Sequence, residues 1–181
     1  MQFVIKVILV NVLLVVVLLN NTMAQQLIVD TAGINNSRGL NISDLGDEEY
    51  YFDSIGISIT PPRYFVNKDG GQVFLHIQTS SSMAVDYIGD YPYVMITENM
   101  TAEHLSKQGA ELIENFELRT NDDYNGMVYV MEFTIKEVEF YRLMYFTGDL
   151  NRTFMVVANY PKMFDEIERK AVLQSFQTIK F

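Results

Sequence analysis

The sequence predicts an α+β domain, a central antiparallel β-sheet covered by helices in an α/β/α sandwich. Three observations carry this. Consecutive β-type runs in the second half are joined by turns of only a few residues, and such short connections impose antiparallel pairing. The strongest run, Met127–Lys136, places Met127, Tyr129, Met131, Phe133 and Ile135 on one face, with Val128 and Val130 followed by Glu132 and Thr134 on the other. A strand apolar on one face and half apolar on the other calls for layers on both sides. Two helical segments, with the residues before 56, are the available covers.

Residues 25–55 show little periodicity and read as an N-terminal lead-in, with a short strand near Leu27–Asp30. Its aromatic run Tyr50-Tyr51-Phe52 fits either a docking point or the first residues packing on the domain. From Gly56, Ile57 and Ile59 alternate with Ser58 and Thr60, and Pro61-Pro62 stops that strand. Asp69-Gly70-Gly71 is a turn, followed by strands at Gln72–Thr79 and Met83–Ile88 and an extended piece at Tyr93–Thr97. Thr101 can cap a helix, Glu103 suits its first turn and Gly109 can close it, so 102–108 is a short helix. Strands follow at Glu111–Thr120, Met127–Lys136, Phe140–Thr147 and Arg152–Tyr160. Hairpin turns at 121–126 and 148–151 separate them. Pro161 fits a first helical position, and Met163, Phe164, Ile167 and Ala171 form a stripe at helical spacing, which predicts an amphipathic helix over 162–175. Gln177–Phe181 reads as a terminal strand.

Composition narrows the function classes. The chain is 49% apolar and 20% charged, which suits a globular domain. Its net charge of −10 disfavours nucleic-acid binding, which calls for a basic face. There is no Cys, so disulfides, thiolate metal sites and cysteine nucleophiles are excluded, and two His leave little for a histidine metal site. At the N-terminus, Lys6 precedes an apolar run from Val7 to Leu19, and Thr22-Met23-Ala24 places small residues at the two recognition positions of a cleavage site. That is the plan of a signal peptide over 1–24, removed after Ala24. The run is short for a membrane span of ~20 residues, although a retained anchor is the competing reading. A secreted chain without Cys points to a bacterial protein, periplasmic or secreted, without stable membrane insertion once cleaved.

The stretch Gly56-Ile-Ser-Ile-Thr-Pro-Pro-Arg-Tyr-Phe65 resembles the opening strand and P-P-x-x-F turn of the PsbP-like (Mog/PsbP) superfamily. The order of strands, short helix, long meander and C-terminal helix after Asn159-Tyr-Pro161 is similar too, so the resemblance spans 56–181. It implies the fold and a non-enzymatic tendency. Members of that superfamily assist the oxygen-evolving photosystem or bind a small GTPase, and many bacterial ones have no assigned role. It carries over no functional residue and no cofactor.

Three constellations carry possible chemistry. Asn121-x-Asp123-x-Asn125-Gly126-x₅-Glu132 matches calcium-loop spacing, apart from Asn at the first position. An EF-hand places a helix after the loop, whereas Met127–Lys136 alternates as a strand, so a plain hairpin is expected. His76 precedes Thr79-Ser80-Ser81-Ser82, and a hydrolase would need that base within reach of a serine and an orienting acid. No G-x-S-x-G elbow frames the serines, so a half-buried strand histidine with a local hydrogen bond is expected. Tyr87, Tyr91 and Tyr93 flank Gly89-Asp90 and Pro92, and this loop is the best aromatic contact surface for a partner. The leading expectation is an exported, non-enzymatic domain that binds a protein partner or assists an envelope assembly. A small hydrolase centred on His76 and Ser80–Ser82, or a calcium-responsive module, is the alternative.

Overall fold

The structure is a computed structural model that describes residues 44–67, 69–107 and 109–181. The expected signal peptide and the strand near Leu27–Asp30 lie outside the described residues. Strands β1 (Tyr50–Phe52) and β2 (Ile57–Ile59) form a hairpin, closed by Gly56 at φ +66 with its N–H on the Phe52 carbonyl. β1 therefore lies inside the expected lead-in. The main sheet contains β3 (Val73–His76), β4 (Ser81–Gly89), β5 (Glu111–Arg119), β6 (Asn125–Ile135), β7 (Val138–Gly148) and β8 (Thr153–Pro161). Their spatial order is β3-β4-β8-β7-β6-β5, antiparallel throughout. Helices α1 (Val94–Thr97) and α2 (Ala102–Ser106) connect β4 to the far edge strand β5. The meander β5-β6-β7-β8 then brings β8 back against β4. A 3-10 turn, Lys162–Phe164, leads into α3 (Asp165–Gln177).

Every residue of β8 is buried, and its alternation feeds two apolar clusters. Phe154, Val156, Ala158 and Tyr160 join Val128, Val130, Leu143 and Tyr145 with Val172 and Phe176 of α3 and Phe52, Ile57 and Ile59 of the hairpin. Met155 and Val157 join Tyr129, Met131, Met144 and Phe146 with Ile96, Met100 and Leu105. The expected alternation of β6 is present, and both of its faces reach a core.

Four local expectations are corrected. Tyr93–Thr97 is not extended: Val94–Thr97 is a helical turn, opened by the Met95 N–H on the Pro92 carbonyl and the Ile96 N–H on the Tyr93 carbonyl. Proline presets the backbone for that turn, and it delivers Ile96 to the core. Pro161 is not a helix start but the last residue of β8, paired with Phe140. The buried face of α3 is Glu168, Ala171, Val172, Ser175 and Phe176, while Met163 is 65% exposed and Ile167 is exposed. Two polar residues on the buried face disguised the true stripe; Ser175 is accommodated by donating to the Thr60 carbonyl at 2.7 Å. The terminal strand reduces to one bridge, Ser58 to Lys180.

The 121–126 turn is a hairpin in which Asp123, at φ +67, takes the left-handed position, and its N–H donates to the Thr120 carbonyl at 3.0 Å. Gly126 is needed for a different reason than turn formation. It sits within β6, where a Cβ would come within 2.3 Å of the Tyr145 ring and 2.6 Å of the Phe146 carbonyl oxygen.

The more apolar face of the 127–136 strand predicts a buried Phe133; it is half-buried instead, stacked on Phe140 at 5.5 Å with the Arg142 guanidinium 4.7 Å from its ring centre. Phe176 is fully buried and stacks on Tyr145 at 5.3 Å. Phe176→Ala should therefore cost about 3–5 kcal/mol in urea denaturation, and Phe133→Ala about half of that. Equal losses would contradict this assignment of the core.

Candidate functional site

The β3–β4 hairpin pairs His76 directly with Ser81 and turns through Thr79 and Ser80, with Ser80 at φ +57. Side chains paired across an antiparallel ladder share a face. Here that face also carries Phe74 and Met83, and it is the face α3 packs on. A hydrogen-bonded line results. His76 Nδ1 lies 2.5 Å from Thr79 Oγ1, Thr79 Oγ1 lies 2.8 Å from Ser81 Oγ, and Ser81 Oγ donates to Glu168 Oε1 of α3 at 3.0 Å. All four residues are sealed: His76 is 2% exposed, Thr79 and Glu168 1%, and Ser81 0%. His76 Nε2 and Glu168 Oε2, the outer atoms of the line, have no hydrogen-bond partner.

Burial disfavours charge at both ends. It pushes the Glu168 carboxyl up to about 7, against the opposing hydrogen bonds of Ser81 and Thr79. It also holds the His76 imidazolium below its ordinary range. The His76 ring stacks on Phe65 at 5.6 Å and on Tyr64 at 6.2 Å. Those two residues belong to the wall of a groove of about 430 Å³, lined also by Asp47, Glu48, Tyr50 and the Pro61-Pro62-Arg63 segment. Tyr64 holds φ +70, unusual for a bulky residue, and is 48% exposed; Val66 is 49% exposed.

The structure thus brings His76 and Ser81 into one network, but Thr79 stands between them. Ser82 faces elsewhere, where its Oγ accepts from Asn159 Nδ2 at 3.4 Å, and Ser80 is buried. Sequence reasoning missed Glu168. Its signal was there: 168, 171, 172, 175 and 176 are one helical face, and a carboxylate on a buried face needs a partner. It also missed Arg142, 3% exposed, whose Nε donates to Asn159 Oδ1 at 2.7 Å and whose pKa burial pulls down to about 10.

The calcium candidates are not brought together. Asp123 pairs with Arg119 at 2.7 Å, the Asn121 N–H donates to the Gln177 carbonyl, and Asn125 begins β6. Glu132 lies further along that strand, about 23 Å from Asn125 at the usual rise per residue, and pairs with Lys162 at 2.8 Å. Among the described residues no group of three His, Asp or Glu is placed to hold a metal ion. The three loop tyrosines are half-buried and divided between faces. Tyr87 packs on Phe154 at 5.7 Å with its hydroxyl on Asp90, while Tyr91 and Tyr93 pack on the cluster of the opposite face.

Cyanobacterial PsbP (CyanoP) from Synechocystis sp. PCC 6803 has a similar structure, with a TM-score of 0.53 at 16% identity over 78% of this chain and 95% of that one. The fold is PsbP-like. PA94 of Pseudomonas aeruginosa, a protein of unknown function, gives a TM-score of 0.49 at 13% identity over 75% of this chain and 95% of that one. A Bacteroides thetaiotaomicron protein gives 0.44 at 15% identity over 68% and 44%. No family profile and no curated protein matches the chain by sequence. The PsbP-like likeness concerns the fold; the chemistry of the His76–Glu168 line is read from this chain's own residues.

A carboxyl raised in the folded state contributes stability that is complete below its unfolded value of 4.5 and fades as pH rises through about 7. A lowered histidine contributes in the opposite sense: its share is complete above 6.5 and fades as pH falls. Comparison with Glu168→Gln isolates the carboxyl. The variant should gain roughly 2 kcal/mol on wild type between about pH 5 and pH 8, read by urea denaturation at each pH. A constant difference would show that Glu168 titrates normally. Melting temperature should be the same in millimolar calcium and in chelator. A rise in calcium that Asp123→Ala abolishes would restore the calcium reading.

Proposed function

We propose that the protein is an exported, non-enzymatic domain that binds a protein partner, or supports an envelope assembly, through the groove between residues 46–50 and 61–66. The observation that carries this is the contrast between the two neighbouring features. The line from His76 to Glu168 is sealed, whereas the groove beside it is open and presents Tyr64 and Val66 to solvent. A hydrolase needs its nucleophile and base in reach of substrate, and burial of both His76 and Ser81 weighs against that reading. Clustered exposed aromatic and aliphatic side chains with charged residues at the rim are the usual anatomy of a protein contact. Here the rim charges are Asp47, Glu48 and Arg63.

Export rests on the three-part N-terminal pattern of residues 1–24, and the periplasm or the cell exterior is its proposed address. No helix among the described residues is long and apolar enough to cross a membrane. The acidic balance supports a partner other than nucleic acid. The two apolar clusters fit the same reading: one joins Val172 and Phe176 of α3 with the β1–β2 hairpin, the other takes Ile96 of α1 and Leu105 of α2. Tyr87, Tyr91 and Tyr93 contribute less, because each is half-buried against the sheet.

The test is a photo-reactive amino acid placed at Tyr64 of the full chain in its native cells, with the same probe at Leu150, which is 82% exposed and remote in sequence. Cross-linking to a discrete protein should be several-fold stronger from position 64. Equal yields from both positions would contradict a role for the groove.

A further inference from the structure

The line from His76 to Glu168 joins a base to an acid through two hydroxyls, and the proposed binding role leaves it without a use. A hydroxyl has one proton to donate, so each link can point in only one direction at a time. The geometry therefore admits two self-consistent states. With Glu168 ionised, Ser81 donates to it, Thr79 donates to Ser81, and His76 Nδ1–H donates to Thr79, leaving a lone pair on Nε2. With Glu168 protonated, its O–H donates to Ser81, Ser81 donates to Thr79, Thr79 donates to Nδ1, and the ring proton sits on Nε2.

We propose that this line is a proton relay that ties the protonation of Glu168 to the tautomer of His76. A proton taken up at Nε2 releases the Nδ1 proton to Thr79. Thr79 passes its own proton to Ser81, and Ser81 passes its own to the carboxylate. One N–H bond forms and one breaks, each hydroxyl loses and regains one proton, and one O–H bond forms on Glu168. The ring ends neutral, with its proton moved to the other nitrogen. The path runs from His76 Nε2, which has no hydrogen-bond partner, to Glu168 Oε1, the oxygen that Ser81 bonds.

The surroundings keep the line isolated. On α3, Asp165 is held by Arg169 at 2.8 Å and by the Tyr160 hydroxyl of β8 at 2.8 Å, and Arg169 also binds Glu114 of β5 at 2.6 Å. Glu166 and Lys170 are the other charged residues of that helix beside Glu168. The loop contributes the rings of Tyr64 and Phe65. Among the described residues neither His76 nor Glu168 has a charged hydrogen-bond partner. Burial disfavours the imidazolium, so the ring is neutral in both states. The relay also gives the groove a pH input, a consequence that rests on the binding role proposed above. The ring whose tautomer changes is packed against two of the groove's wall residues.

The test uses the full chain with ¹⁵N-labelled histidine, and long-range proton–nitrogen correlation spectra from about pH 6 to about pH 8.5. The protonated nitrogen of His76 should change from Nε2 to Nδ1 as pH rises. Glu168→Gln should hold one tautomer across that range, and so should Thr79→Val, which cuts the line at Thr79 and leaves the carboxylic acid in place. A purely structural role for Glu168 would alter melting temperature and leave the tautomer titration in place. A wild-type tautomer that ignores pH, or a change that persists in both variants, would overturn the relay. The spectra are read on the free protein, so a failure of cross-linking at position 64 would refute the groove without touching the relay.

Discussion

The arrangement depends on the burial of both faces of β8. This strand lies between β4 and β7, and all of its residues from Thr153 to Pro161 are buried. A strand in that position cannot leave either side to water, because each face carries aromatic or branched side chains. The chain meets the demand with what lies on either side in sequence. Ile96, Met100 and Leu105 of the crossover between β4 and β5 join the apolar cluster of one face, and Val172 and Phe176 of α3, which follows Pro161 after the Lys162–Phe164 turn, join that of the other. The same return of α3 that buries Phe176 also carries Glu168 onto the β3–β4 hairpin. The sealed polar line is thus a by-product of covering β8, fixed by hydrogen bonds at its inner positions and left unpaired at its ends.

The two sheet edges are managed differently. At one edge β5 is largely exposed and carries Glu111, Glu114 and Glu117, charges that discourage pairing with another chain. At the other edge β3 is short, and Val66 bonds to Leu75 through both backbone groups at 2.9 and 3.0 Å. That bridge anchors the Pro61–Val66 segment beside His76, so the groove wall is positioned by the sheet itself. The N-terminal residues contact the same segment: the Gly46 N–H donates to the Pro61 carbonyl at 2.8 Å and the Arg63 N–H to the Asp44 carbonyl at 2.9 Å.

Most of the sheet was legible in the sequence because its strands are long, β-branched or aromatic, and bounded by turn residues. Period-two alternation in β6 and the Asn-Asp-Asp turn before it were sufficient. What was not legible has physical causes. The Val94–Thr97 turn is too short for a helical period to emerge, and its branched residues mimic a strand. The face of α3 was misread because Glu168 and Ser175 are polar residues on the buried side, satisfied by partners far away in sequence. Gly126 looked like a turn glycine, yet its role is set by the Tyr145 ring on the next strand. Of the site, His76 and the serines were visible as residue types, but the choice of Ser81 over its neighbours follows from strand pairing. Glu168 came into view only with the docking of α3.

Whether the His76–Glu168 line is closed in solution is the question on which the separation of binding from catalysis turns. The direct measurement is the rate of modification of each histidine by diethyl pyrocarbonate under native conditions, followed by peptide mass spectrometry. The account predicts that His104, half-buried on the short helix α2, reacts while His76 stays unmodified until the protein is unfolded. Reaction of His76 at a rate comparable to His104 in the folded protein would show a site open to small molecules, and would contradict the account.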